Sequence, residues 1–256
     1  MSSPVLDPTV VQLTARSLLG RRRTVLLLLL PLALLALCTL ARVLAGFDDG
    51  LREELDSGFA TNLLGSFGIG VLMPLLGLIA GTGAIGPEID EGSIVYLLSK
   101  PLNRYSIIVS KLAVAFAVVT AFGAVPVLVA GLVLTGSVGG ITLSYAVGAL
   151  AAGLAYSAFF LCLAVLTRNA VVIGLIYALV WESLLGGLAP GAQTLSIQQW
   201  ATSVVERLLG TDTASLLGVE AAVSFTTGLV LLLVVTIGAT VYAGRRLQSL
   251  RLTGDS

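Results

Sequence analysis

Residues 24–46 read TVLLLLLPLALLALCTLARVLAG, an apolar run interrupted by a single charge, Arg42. A helix needs roughly 20 mostly apolar residues to cross the hydrocarbon layer of a bilayer, so this stretch is long enough to span one. Five more runs of the same character follow at 62–86, 107–135, 144–166, 171–188 and 221–243. None alternates apolar with polar residues as a barrel strand does. Backbone in lipid must satisfy its own hydrogen bonds, which leaves a helical bundle. Composition agrees: 57% of the 256 residues are hydrophobic, 11% are charged and the mean hydropathy is +1.03. Soluble domains carry about a quarter charged residues. The expected fold is an all-α membrane protein of one domain. Its six transmembrane helices (24–243) lie between a cytoplasmic N-terminal segment (1–23) and a cytoplasmic tail (244–256).

The same composition excludes several functions. A water-soluble enzyme would lack the polar groups to cover its surface. Lys+Arg 14 against Asp+Glu 14 leaves no basic excess for a nucleic acid. With no His, neither an imidazole base nor a His-ligated metal site is possible. Cys38 and Cys162 both lie in apolar runs and read as small apolar fillers.

Orientation follows from the placement of the cations. Arg16, Arg21, Arg22, Arg23, Lys100, Arg104, Lys111, Arg168, Arg245, Arg246 and Arg251 fall on one side of the spans, and Arg42, Arg52 and Arg207 on the other. The positive-inside bias then puts both termini in the cytoplasm of a multi-pass plasma (inner) membrane protein. The opposite loops are acidic, with Asp48, Asp49, Glu53, Glu54, Asp56, Glu206 and Asp212.

Ahead of the first span, Asp7 is placed to cap a helix with Pro8 at its first position, and Leu6 to staple onto Val11. Leu6, Val10 and Leu13, with Val11, Ala15 and Leu18, form an apolar face opposite Gln12, Arg16 and Ser17, as in a helix lying in the membrane interface. Arg21-Arg22-Arg23 and the leucines after it imitate a secretory signal. The apolar run is too long for a signal core, and Leu37 is too large to precede a processed cysteine, so the first span is expected to be retained.

Gly81-Thr82-Gly83-Ala84-Ile85-Gly86 matches the glycine pattern of a dinucleotide loop, but it ends an apolar run and Pro87 follows. Gly77 and Gly81 instead let two helices approach closely. More informative is the segment between the second and third spans, residues 87–111, PEIDEGSIVYLLSKPLNRYSIIVSK. Gly92-Ser93 opens a short helix bearing Ile94, Leu97 and Leu98, Pro101 breaks it, and Asn103 caps a second helix carrying Arg104, Ile107, Ile108 and Lys111. The product is a knob on the cytoplasmic face, suited to a groove on a partner. Positive-inside bias alone would explain Lys100, Arg104 and Lys111, but not the carboxylates of Glu88, Asp90 and Glu91.

This segment resembles the permease subunits of ABC-2 type ABC transporters. They carry two glutamates three apart, Gly-Thr, a Leu-Leu-Ser/Thr-x-Pro turn, an arginine and a closing Gly-Lys. Glu88, Glu91, Gly92, Ile94, Leu97, Leu98, Ser99, Pro101, Leu102, Arg104, Ile107, Ile108 and Lys111 match, while Ser93 and Ser110 stand where Thr and Gly are usual. Six spans, inward termini and an interfacial helix are also similar to that family. The resemblance implies a subunit that binds no cofactor itself and is not an enzyme. It would dimerise with a second permease copy or homologue and dock a cytoplasmic ATP-binding subunit holding ATP and Mg. It also implies an exporter. By the same resemblance the ATPase-coupling residues are Glu88, Glu91, Gly92, Ser93, Leu97, Leu98, Ser99, Pro101, Arg104 and Lys111.

Glu182, beside Trp181, lies inside the fifth apolar run, where a carboxylate at mid-membrane costs on the order of 3 kcal/mol. Either it faces the bundle interior, on a substrate path or dimer seam, or the span is re-entrant and the pair sits near the outer interface. In 190–220, Ile197, Trp200, Val204, Val205 and Leu208 recur at helical spacing, which predicts an amphipathic or re-entrant helix on the outer face. Two alternatives stay open: a proton- or ion-coupled secondary transporter, for which a single intramembrane carboxylate is meagre, and a non-transporting membrane assembly factor.

Overall fold

Asp7 is the N-cap that its position before Pro8 predicts: its Oδ1 accepts from the backbone N–H of Thr9 at 2.9 Å and of Val10 at 3.3 Å. The computed structural model describes residues 7–47, 58–90, 104–185 and 190–249, which are helical throughout apart from short connections. Helix α1 (Pro8–Leu18) is followed by α2 (Arg21–Leu44). Helix α3 (60–90) runs through Ala60–Asn62, a wide-turned π segment Leu63–Leu72, and Met73–Asp90. Helix α4 (Arg104–Thr135) contains a shorter π segment, Thr120–Ala124. Then come α5 (Ile141–Leu166) and α6 (170–185), the latter made of Ala170–Ile176 and the π segment Tyr177–Leu185. A turn α7 (Pro190–Gln193) leads to α8 (Ile197–Leu209), α9 (Thr211–Leu216) and α10 (Phe225–Ser249).

Among the described residues five helices are long and apolar enough to cross a membrane: α2, α3, α4, α5 and α10. The expected sixth crossing, 171–188, is not among them. Its described part, α6, ends at Leu185, and its apolar stretch Ala170–Glu182 falls short of the roughly 20 residues a span requires. The second expected span also ends differently. Its helix does not stop at Gly86 but continues through Pro87 to Asp90. In a membrane helix a proline is tolerated where neighbouring groups take up the freed carbonyl.

Helix α5 is the centre of the bundle. It packs against α3, α4, α8 and α10, and its side chains Ala149, Ala152, Ala155, Tyr156, Ala158, Phe160 and Leu161 are fully enclosed. Helices α2, α6 and α10 instead show rows of apolar side chains outward, among them Leu28, Leu32, Val172, Ile176, Val230 and Val234. In water such rows would be an aggregation hazard; in lipid they are the solvated surface. Arg16, Arg104, Lys111, Arg168, Arg245 and Arg246 gather at one end of the bundle, here termed the basic end.

The seam between α3 and α5 depends on the two glycines singled out in the sequence. A methyl group on Gly77 would stand 2.6 Å from Tyr156 Cβ, and one on Gly81 would stand 2.9 Å from both the backbone nitrogen of Leu161 and the carbonyl oxygen of Ser157. Backbone cannot step aside as a flexible side chain can, so Gly81→Ala must push the two helices apart. Overpacking of this kind costs roughly 1–3 kcal/mol. We expect Gly81→Ala to lower the unfolding midpoint of the detergent-purified protein by several degrees; an unchanged midpoint would mean that the helices are not this close.

Candidate functional site

At the basic end three helices converge on one ammonium group. Lys111, two turns into α4, is fully buried. Its Nζ donates to Glu88 Oε1 of α3 at 2.6 Å, to the carbonyl oxygen of Ala84 at 2.6 Å and to Thr14 Oγ1 of α1 at 3.5 Å. The Glu88 side chain keeps 21% of its surface exposed, so the ion pair lies at the edge of the core, with the cation inside it. A lysine can be held there because all three of its hydrogens are used and one partner is charged. The preceding residue, Ser110, is also fully buried, and its Oγ accepts from the backbone N–H of Asp7 at 2.9 Å. The serine that replaces the usual glycine thus fastens the start of α1 to α4.

Arg104 opens α4, and its Nη1 donates to the carbonyl oxygen of Leu247 at 3.3 Å, near the end of α10. A cation on terminal carbonyls is the favourable arrangement at a helix C-terminus. Beside it the ring of Tyr105 lies against Gly244, where a methyl group would come within 2.6 Å of the ring carbons. Of the residues predicted for coupling, the structure therefore brings Glu88, Arg104 and Lys111 to one end of the bundle, at the two points where segment 91–103 leaves and re-enters it. Glu91, Gly92, Ser93, Leu97, Leu98, Ser99 and Pro101 lie outside the described residues. Sequence reasoning had no sign of Thr14, Ala84 or Asp7 as partners of this segment. The i, i+4 spacing of Val10, Thr14 and Leu18 along the buried face of α1 was the available signal.

The second assembly surrounds Glu182, which is buried. Its Oε1 accepts from Tyr177 Oη at 2.9 Å and from the backbone N–H of Ile197 at 3.1 Å, and its Oε2 accepts from Ser196 Oγ. Ile197 is the first residue of α8 and Ser196 its N-cap, whose Oγ in turn accepts from Gln199 N at 3.3 Å. A carboxylate therefore sits on the N-terminus of α8, where unpaired N–H groups and the helix dipole favour negative charge. Trp181 is half-buried beside it. Both carboxylate oxygens are engaged within the protein, which makes Glu182 a tether between α6 and α8. Tyr177 and Glu182 are five apart, the spacing of one turn of a π helix, and Ser196 before an amphipathic run is an N-cap signature, so both partners left traces in the sequence.

The helix predicted over the outer segment is present as α8. It buries Ile197, Trp200, Val204 and Val205, whereas Leu208 is exposed. It is seated against α5 and α10. Gly148 of α5 meets Val205, and Gly228 of α10 meets Ser203 and the carbonyl oxygen of Trp200, so closely that neither could carry a methyl group.

A comparison of the sequence with curated proteins found no match. A comparison with protein families did: the model described as ABC-2 family transporter protein matches residues 15–246. That span contains the last turn of α1, every apolar helix, and Glu88, Lys111 and Glu182 of the assemblies above. Members of this family are membrane subunits that do not themselves hydrolyse ATP and normally pair with a cytoplasmic ATP-binding subunit. With a match of that extent over a bundle of apolar helices, the chain belongs to the ABC-2 family of transporter proteins, as a multi-pass membrane subunit.

Proposed function

We propose that this chain is the permease subunit of an ATP-driven exporter, working as a pair of copies or with a homologue. A separate cytoplasmic subunit that binds ATP and Mg would drive it through segment 88–111. The observation that carries this reading is the Lys111 clamp. A stroke delivered to a segment moves the bundle only if both roots of that segment are fixed to it. Glu88 of α3 and Lys111 of α4 are those roots, joined at 2.6 Å and braced by Thr14 of α1. In this proposal Glu88 and Lys111 are fastenings, and contact with the partner falls to Glu91, Leu97, Leu98 and the residues around Pro101. The cation bias places the basic end and both termini in the cytoplasm of the plasma (inner) membrane. Glu182 serves the path at one remove, by fixing α8, with Trp181 beside it in α6. The secondary-transporter alternative gains nothing here, because Lys111 and Glu182, the buried Lys, Arg, Asp or Glu side chains among the described residues, are each tied up in structural contacts.

The test is to place a photo-crosslinking amino acid at Leu97 and at Leu98 in native membranes. The expected product is an adduct with a nucleotide-binding protein, recovered one-to-one with this chain. ATP hydrolysis by the purified chain alone, or adducts that never contain a nucleotide-binding protein, would overturn the proposal.

A further inference from the structure

At the end opposite the basic one, the bundle opens into a polar cleft of about 510 Å³ between the start of α3, the start of α5, α8 and residues 215–220. Thr61, Asn62, Ser66, Tyr145, Gln198 and Thr202 line it, all neutral amides and hydroxyls, and the one carboxylate among the described lining residues, Glu220, lies exposed. Hydrogen bonds within the protein use only part of this set. Asn62 Oδ1 accepts from Ser66 Oγ at 3.3 Å, Thr61 Oγ1 donates to the carbonyl oxygen of Gly58 at 2.6 Å, and Thr202 Oγ1 donates to that of Gln198 at 3.0 Å. The Asn62 NH₂, the whole Gln198 side-chain amide and the Tyr145 hydroxyl make no hydrogen bond to another described residue. Tyr145 is the informative member, being only 2% exposed overall and lying against bare backbone, where a methyl group on Gly65 would touch its ring and its oxygen at 3.5 Å.

Around a cleft of ligand size, donors and acceptors not spent within the protein, on the exposed Asn62, the half-buried Gln198 and the buried Tyr145, are available to a ligand. Their chemistry selects the ligand. Among the described residues no cation lines the cleft to attract an anion, and a single exposed carboxylate beside one aromatic ring is a poor cage for a cation. Planar amides that can donate and accept at once, hydroxyls and a tyrosine ring match a neutral, polyhydroxylated group. The site is also preorganised, because Gln198 and Thr202 project from one face of α8, the helix held by Glu182. We infer that this cleft binds a neutral saccharide, either free or as a glycolipid headgroup. The inference concerns binding alone and stands apart from the direction of transport and the identity of the ATPase.

The experiment uses the full chain in phosphatidylcholine nanodiscs with Ser66→Cys on the exposed rim, labelled by a membrane-impermeant maleimide; Cys38 and Cys162 are buried. Maltose should slow labelling of Cys at 66, and phosphocholine should not. In a second arm, nanodiscs doped with glucosyl-diacylglycerol should show the same slowing without added sugar if the source is a lipid headgroup, and normal labelling if it is a free sugar. Tyr145→Phe and Asn62→Ala, each added singly, should raise the maltose concentration for half-protection roughly two- to tenfold, the effect of one lost hydrogen bond. Tyr145→Phe keeps the ring and so serves as the variant least able to disturb folding. Absence of protection in both arms, or protection indifferent to both substitutions, would overturn the inference.

Discussion

Lys111→Met is expected to lower the unfolding midpoint by roughly 6–12 °C, one of the two largest effects anticipated for a single substitution in this chain. Methionine fills most of the volume, so the loss is electrostatic. Lys111 is fully buried, and its removal strips the cation from Glu88 Oε1 and the donor from the carbonyl oxygen of Ala84. Breaking one half of a buried ion pair typically costs 3–5 kcal/mol, because the remaining charge is left without a partner. Glu88 keeps 21% of its side-chain surface exposed, so partial hydration holds the cost near the lower end, about 3 kcal/mol. Glu88→Gln should cost less, since the ammonium keeps Ala84 and Thr14 and gains an amide oxygen. The double variant should be more stable than the sum of the two single losses predicts, because it leaves no orphaned charge. Thermal unfolding of the four proteins in one detergent supplies the cycle. Strict additivity would show that the two groups do not act as a pair.

The clamp also marks the limit of what the sequence could reveal. Long apolar runs made five membrane helices legible, because hydropathy and length are properties of a contiguous stretch. Local rules of the same kind disclosed the Asp7-Pro8 start of α1, the Gly77 and Gly81 seam, and the helical period of α8. Lys111 and Glu88 stood out only as charges near a turn. Their pairing across 23 positions, with Thr14 a further 97 away from Lys111, depends on how α1, α3 and α4 pack. The end of α3 was misplaced for a related reason. Pro87 reads as a helix breaker in water, whereas in a bundle the helix continues to Asp90. The run 171–188 is described only as far as Leu185, and there its apolar stretch carries a carboxylate to the start of α8, a contact that apolar length does not disclose. The proposed contact segment 91–103 rests on its resemblance and on the proline-bent pattern of its residues.

Glu182→Leu should release α8 while leaving the rest of the bundle folded. Three donors converge on that carboxylate, Tyr177 Oη, Ser196 Oγ and the backbone N–H of Ile197, and leucine satisfies none of them. Each buried donor left unpaired costs roughly 1–3 kcal/mol, and the favourable term of an anion at the helix N-terminus is lost as well. The sum exceeds what the start of α8 can bear, although Trp200 remains anchored through Nε1 to the carbonyl oxygen of Thr194 at 2.8 Å. The observable is Ser203→Cys, a near-isosteric change at a position that is 1% exposed and seated against Gly228. With Glu182 present the thiol should resist a soluble maleimide; with Glu182→Leu it should react at least tenfold faster. Glu182→Gln separates charge from shape. Its carbonyl oxygen can still accept from one or two of the donors, but its NH₂ must face another donor, so an intermediate rate is expected. If Glu182 lines a substrate path and has no part in holding α8, labelling at 203 will be as slow in both variants as in the parent, and the tether is wrong.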